Sequence, residues 1–196
     1  IAPDRLARPG QIMLREYEYK RHGTLCLFGN LHVPTGKILA PMVRQSRTEE
    51  DYIENIDNLI GLDPTAGYRL ISDNLNTHSS ESCVRYVAAC CGIDEDLGKK
   101  GVRGILKSVE SRVEFLTDPG HRIQFLYTPR HCSWLNQIEI WFGTLRSKVT
   151  RWISFSSVLE LEHSIYSFID YFNEVMARPY NLSLIHISEP TRLRRI

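Results

Sequence analysis

Two five-residue apolar runs, Tyr68–Ser72 and Ile123–Tyr127, are too short for helices, and each ends abruptly. The first runs into the polar turn Asp73-Asn74-Leu75-Asn76-Thr77-His78, and the second stops just before Pro129, so both read as strands. Helical spacing separates them. Cys83, Tyr86, Val87 and Cys90 recur along residues 79–91, with Gly92 as the stop, and a further helix is predicted over 106–116. Upstream, 23–31 and 37–43 read as strands joined by the turn Val33-Pro34-Thr35-Gly36, a hairpin. A helix over 48–62 follows, with Thr48 as N-cap, Tyr52, Ile53, Ile56, Leu59 and Ile60 as its apolar stripe, and Gly61 with Asp63-Pro64 as its end. Residues 94–104, rich in charge and glycine, read as an exposed insertion. Downstream, Ser133 can cap a long helix over 134–149 whose Trp134, Ile138, Trp141, Leu145 and Val149 share one stripe. A last helix, about 156–173, is predicted to bury Leu159, Ile165, Phe168, Ile169 and Phe172. The order implies an α/β fold, a sheet with helices on its faces.

At 196 residues, with 42% hydrophobic and 24% charged, the chain can build one globular domain with a real core and is not a disordered polypeptide. The formal net charge is +1. Residues 182–196 hold Arg192, Arg194 and Arg195 against Glu189, a net of +2, which leaves −1 for the rest. Bulk charge therefore gives no support for nucleic-acid binding, and such a function must rest on local patches. No apolar run reaches the roughly 20 residues of a membrane span, and no positively charged segment followed by an apolar core marks a secretory signal, so a cytoplasmic protein is expected. The five cysteines (Cys26, Cys83, Cys90, Cys91 and Cys132) show neither a C-x-x-C pair nor metal-ligand spacing, which fits reduced, mostly buried thiols.

The ends of the chain carry their own signals. It opens at Ile1 without an initiator methionine and with a polar, proline-bearing stretch, 3–11, typical of a connection rather than the start of a domain; a fragment is expected. At the other end, Leu182-Ser183-Leu184-Ile185-His186-Ile187-Ser188-Glu189-Pro190-Thr191-Arg192 resembles the in-frame translation of a transposon-end adaptor used in preparing sequencing libraries. The native sequence is then expected to stop near Asn181, the ordinary alternative being a solvated tail.

Two carboxylates stand out chemically. Asp73 is delivered at the tip of a strand, and Glu139 lies in the helical stretch Ser133-Trp134-Leu135-Asn136-Gln137-Ile138-Glu139-Ile140-Trp141-Phe142. On that helix Glu139 sits about 100° around the axis from Ile138, at the margin of the apolar stripe, with Asn136 about one turn before it and Arg146 two turns after. An acid from a strand tip and another from a helix margin suit a site that holds divalent cations against a phosphodiester, with an amide and a guanidinium near the same surface. The bland reading is a turn aspartate and a solvated helical glutamate.

The run Arg8-Pro9-Gly10-Gln11, then Glu16-Tyr17-Glu18-Tyr19-Lys20-Arg21-His22-Gly23-Thr24, then Asp73 to His78, then Pro129-Arg130-His131-Cys132-Ser133-Trp134-Leu135-Asn136-Gln137-Ile138-Glu139, and finally Phe172-Asn173 with Ala177-Arg178-Pro179, resembles the catalytic domain of bacterial insertion-sequence transposases related to mariner, members of the DDE superfamily. The likeness extends over residues 1–181, leaving 182–196 as the foreign tail. It implies a ribonuclease-H-like mixed sheet flanked by helices and two magnesium ions, replaceable by manganese, held by three carboxylates. It also implies cleavage and joining of double-stranded DNA at transposon ends, with a homodimer at work in the transposition complex. Asp73 matches the second family carboxylate and Glu139 the third. The first is expected on an opening strand upstream of Ile1, and Asp4 lacks the context to replace it; a fragment without that ligand is expected to be inactive alone. Asn74, His78, His131, Asn136 and Arg146 are candidates for supporting the metal site or touching DNA. Lys20, Arg21 and His22, and Lys99, Lys100, Arg103 and Lys107, are candidates for the DNA backbone. Two alternatives stay open: a non-enzymatic remnant that binds DNA weakly, and a glycoside hydrolase using its carboxylate pair.

Overall fold

Strands β1 (Cys26–His32) and β2 (Lys37–Arg44) form the expected hairpin. His32 closes its turn by accepting from the backbone N–H groups of Thr35 (3.1 Å) and Gly36 (2.7 Å). Gly36 has φ +72°, and a Cβ there would sit 1.9 Å from the Arg178 carbonyl oxygen, so both the turn and the returning chain at 177–180 require glycine. The computed structural model describes residues 23–129, 136–151 and 153–180. Pro41 cannot donate to a ladder, and the pairing slips there: Phe28 faces Met42 but Asn30 faces Leu39, which makes a bulge at Ala40 with φ +43°. Buried Asn55 holds that bulge by donating to the Ala40 carbonyl at 2.9 Å.

Asn55 belongs to α1 (Glu49–Ile60), where Thr48 and Asp51 form a capping box. The chain then enters β3 (Tyr68–Ser72), a short 3-10 turn (Asn76–Ser79) and α2 (Glu81–Cys91), which ends at left-handed Gly92. Helix α3 (Val109–Leu116) leads into β4 (Ile123–Tyr127), which pairs with β3 in parallel, Ser72 opposite Tyr127. Two helices in the crossover are what a parallel pair needs, since parallel strands cannot be joined by a tight turn. Among the described residues the pairing forms two two-stranded sheets, β1-β2 and β3-β4, within a mixed α/β architecture.

Each sheet has its own core. Ile56, Ile60, Val84, Val87, Leu106, Leu116, Ile123 and Phe125 pack α1, α2 and α3 onto β3 and β4. Ile38, Val43, Trp141, Leu145, Val149, Ile165, Ile169 and Phe172 pack the two C-terminal helices onto the hairpin. A fully buried aliphatic or aromatic side chain contributes about 1.5–3 kcal/mol, so both clusters matter to stability.

The C-terminal helices depart in detail from the sequence reading. The helix predicted over 134–149 begins at Ile138 as α4 (Ile138–Leu145) and continues as a π-type segment, Arg146–Thr150; Ser133 and Trp134 lie outside the described residues. At its start the Asn136 side chain and carbonyl accept from the N–H groups of Ile138 (3.4 Å) and Glu139 (3.0 Å). The last helix, α5 (Val158–Tyr171), ends in another π-type segment, Phe172–Met176. It buries Ile165, Ile169 and Phe172, with Phe168 partly covered, but Leu159 is 75% exposed, contrary to expectation. Six residues before Ile165 is about 240° around the axis, off the buried stripe, and Leu161 packs in its place. Asn173 completes this layer: its amide accepts from Ile38 N–H (2.8 Å) and donates to Ile38 C=O (2.9 Å), standing in for a neighbouring strand.

The predicted insertion at 94–104 is exposed along most of its length yet folded. Lys99 bridges Arg103, Arg103 pairs with Asp96 at 2.6 Å, and Leu106 N–H bonds the Leu97 carbonyl at 3.0 Å as its side chain plugs the first core. Among the described cysteines, Cys26, Cys83, Cys90 and Cys91 are free thiols; Cys83 is fully buried and burial pushes its thiol up in pKa. No helix among the described residues is long and apolar enough to cross a membrane.

Candidate active site

The parallel strands β3 and β4 finish side by side, and the stitching continues past the ladder. Thr128 N–H donates to the Ser72 carbonyl at 2.9 Å, and the Asn74 side chain donates to the Thr128 carbonyl at 2.5 Å. Asp73 is therefore held at the carboxyl ends of both strands, the place where open α/β sheets put their ligands. Its carboxylate is 41% exposed and paired with His78, whose Nδ1 lies 2.8 Å from Oδ1. Leu75 N–H also donates to Oδ1, at 3.1 Å. Both contacts fall on one oxygen, which leaves Oδ2 without a partner among the described residues.

His78 is itself fixed from three sides. Tyr127 donates its hydroxyl to the His78 carbonyl at 2.7 Å, the Tyr52 ring lies 4.4 Å from the imidazole, and the 3-10 turn sets the backbone. Burial pushes the phenols of Tyr52 and Tyr127 well above their ordinary pKa, so both remain neutral hydrogen-bonding groups at any physiological pH. Beside the imidazole a hollow of about 220 Å³ opens between β1 and the start of α1, lined by Phe28, Arg47, Tyr52, Leu75 and His78 among others. Tyr52, Tyr127 and Arg47 were not singled out from the sequence. Tyr52 was visible there as a member of the α1 stripe, but its contact with His78 is a tertiary fact.

Glu139 lies in the first turn of α4 and is exposed. That turn packs over β1, with Ile138 and Trp141 each within 4 Å of where a Gly29 side chain would begin. Neighbouring Phe28 lines the hollow beside His78, so that hollow and the α4 turn border consecutive residues of β1. Asn136 is spent on starting α4, and Arg146 is exposed at the end of that helix. Lys99 and Lys100 are exposed on the glycine-rich segment, and Lys100 reaches a second cavity beside the 3-10 turn. His131, Lys20, Arg21 and His22 lie outside the described residues. Among the described residues no group of three or more His, Cys, Asp or Glu is disposed to hold a metal ion.

Comparison with known proteins gives this arrangement its class. The model of the DDE superfamily endonuclease family matches residues 2–162, and the chain belongs to that family. It is thus a transposase-type nuclease by family, of a kind that acts on DNA with divalent metal ions, and its mixed α/β structure is consistent with a ribonuclease-H-like fold. No significant match is found among curated proteins or among solved structures.

Proposed function

We infer that the protein is the catalytic core of a mariner-related insertion-sequence transposase that cuts DNA at transposon ends and joins them to target DNA. The observation that carries this reading is Asp73: a carboxylate at the paired ends of β3 and β4, anchored through Oδ1 and open at Oδ2, in a chain of the DDE superfamily. The donor chemistry suits a hard cation, since an oriented carboxylate oxygen is what magnesium prefers. Asp73 and Glu139 would hold magnesium or manganese together with a third carboxylate from outside the described residues. Bound there, such ions would polarise the scissile phosphate and activate the attacking hydroxyl. Among the chain's own groups, His78 fixes the Asp73 carboxylate, Asn74 locks the two strand ends together, and Arg146, on the helix that carries Glu139, is free to meet a phosphate.

We take residues 1–181 as the catalytic domain and 182–196 as the foreign tail, with a homodimer as the working form on double-stranded DNA in the cytoplasm, at the nucleoid. The test is a cleavage and strand-transfer assay on matching transposon ends with magnesium, using a chain that includes the upstream segment expected to carry the first carboxylate. Asp73→Asn and Glu139→Gln should each abolish cleavage while leaving DNA binding within about twofold, as expected for groups that act on the transition state more than on binding. Cleavage retained in either variant removes that residue from the metal site. A second reading is a remnant that binds DNA weakly without cutting it. It requires the unmutated protein to show binding and no cleavage under the same conditions.

A further inference from the structure

Arg112, on α3, is 9% exposed, and its partners are two neutral carbonyls: Nε donates to Ser79 C=O at 2.8 Å and Nη1 to Leu106 C=O at 3.3 Å. Among the described residues no carboxylate forms an ion pair with it. A guanidinium so far out of water carries a large desolvation cost that two carbonyls offset in part, and the remainder favours an anion. Space for one is present. Arg112 lines a cavity of about 300 Å³ shared with Lys100, Asn76, Thr77, Ser80 and Glu49. A phosphate group needs roughly two to three times the ~30 Å³ of a liquid water, so the cavity admits it with part of its solvent shell.

Glu49 is the one opposing charge, and it is already engaged. It accepts from Ser82 N–H at 3.0 Å at the start of α2. Burial works against its charged form, but the Ser82 and Ser80 hydrogen bonds and the Lys100 charge outweigh that and hold its pKa below the usual range. The helix end is thus served by the protein's own carboxylate, and an incoming anion would fall to Arg112 and Lys100, with the Thr77 hydroxyl as a further donor. Asn76 and Thr77 begin three and four residues after Asp73, which ties the cavity to the same turn as the candidate metal ligand.

We propose that this cavity is a phosphate site that grips the backbone of the DNA strand led past Asp73, with Arg112 and Lys100 as its binding residues. The proposal rests on the transposase reading for its ligand, but its test does not depend on cleavage. Binding of fluorescent double-stranded DNA to the full chain is measured by anisotropy from about 50 to 200 mM salt, where each lost phosphate contact flattens the dependence of log affinity on log salt by about one unit. Lys100→Ala and Arg112→Gln should each flatten that slope by about one and weaken binding about tenfold. Arg112→Lys should restore the slope without the full affinity, and Glu49→Gln should strengthen binding severalfold. Lys100 is exposed, so Lys100→Ala tests the site even if Arg112→Gln fails to fold. Wild-type affinity and slope in folded Lys100→Ala would overturn the proposal. It is equally overturned if DNA binding ignores both variants while inorganic phosphate shifts the Thr77 and Ser80 amide resonances in an Arg112-dependent way, because the site then takes the free anion. Asp73→Asn should keep the wild-type slope, and loss of its cleavage bears on the metal site alone.

Discussion

His78 Nδ1 lies 2.8 Å from Asp73 Oδ1, in a turn that the Tyr127 hydroxyl closes from the other side. For Nδ1 to donate, the ring must carry its proton there, so the pair fixes both the tautomer of the histidine and the rotamer of the aspartate. His78→Ala should therefore leave Asp73 in place but unoriented. In the cleavage assay the expected loss is about 10–100-fold in rate, the range seen when the partner of a metal ligand is removed, with DNA affinity little changed. An unaltered rate would show that Asp73 needs no such support.

Asn173 should matter to stability far more than a half-buried polar residue usually does. Replacing it by alanine strips Ile38 of partners for both N–H and C=O at a side chain that is 1% exposed. Each unsatisfied buried group costs about 1–3 kcal/mol, so Asn173→Ala is expected to lower the unfolding free energy by roughly 2–4 kcal/mol in urea denaturation, against about 0.5 kcal/mol for a surface change.

Glu49 links stability to pH. Its pKa is lowered in the folded protein, so its contribution is fully present above its unfolded pKa and is lost as pH falls through the folded value. Glu49→Gln should be less stable than wild type by about 1 kcal/mol at neutral pH, the usual worth of a helix-end hydrogen bond, and the gap should narrow below about pH 4.5. Thermal unfolding of both proteins across that range checks it; a constant gap would mean that the carboxylate's charge is not what Ser82 recognises.

Gly36 should resist substitution by any L residue. A side chain there meets positive φ at about 1–2 kcal/mol and collides with the Arg178 carbonyl as well, so Gly36→Ala should lower the melting temperature and free the 177–180 segment to proteolysis. Wild-type resistance to protease would place the docking of that segment elsewhere.

Where local chemistry decides structure, the sequence was legible. Thr48 and Gly92 bracket their helices because capping is a matter of a few neighbouring atoms, and Asp73 was readable because a strand must end where its apolar run does. The bulge at Ala40 has a local signal in Pro41, which cannot donate to a ladder. Other features had none. Asn136 bonds the N–H groups that open α4, Arg112 occupies a helical position that only the fold turns inward, and the glycine-rich stretch before Leu106 is organised by contacts with the first core. The separation of the strands into two pairs is likewise a tertiary outcome that apolar spacing cannot express. Of the candidate site, the turn from Asp73 to His78 came together as a unit, whereas Glu139 and Arg146 remain on a different helix and His131 lies outside the described residues.

The two hydrophobic clusters also bear on how the molecule breathes. Helix α1 feeds Ile56 and Ile60 into one cluster while Asn55 grips the bulge of the hairpin that belongs to the other, so it is tied to both. Amide protons of β3 and β4 should then exchange with solvent as one cooperative group and those of β1 and β2 as another, with α1 following the slower of the two.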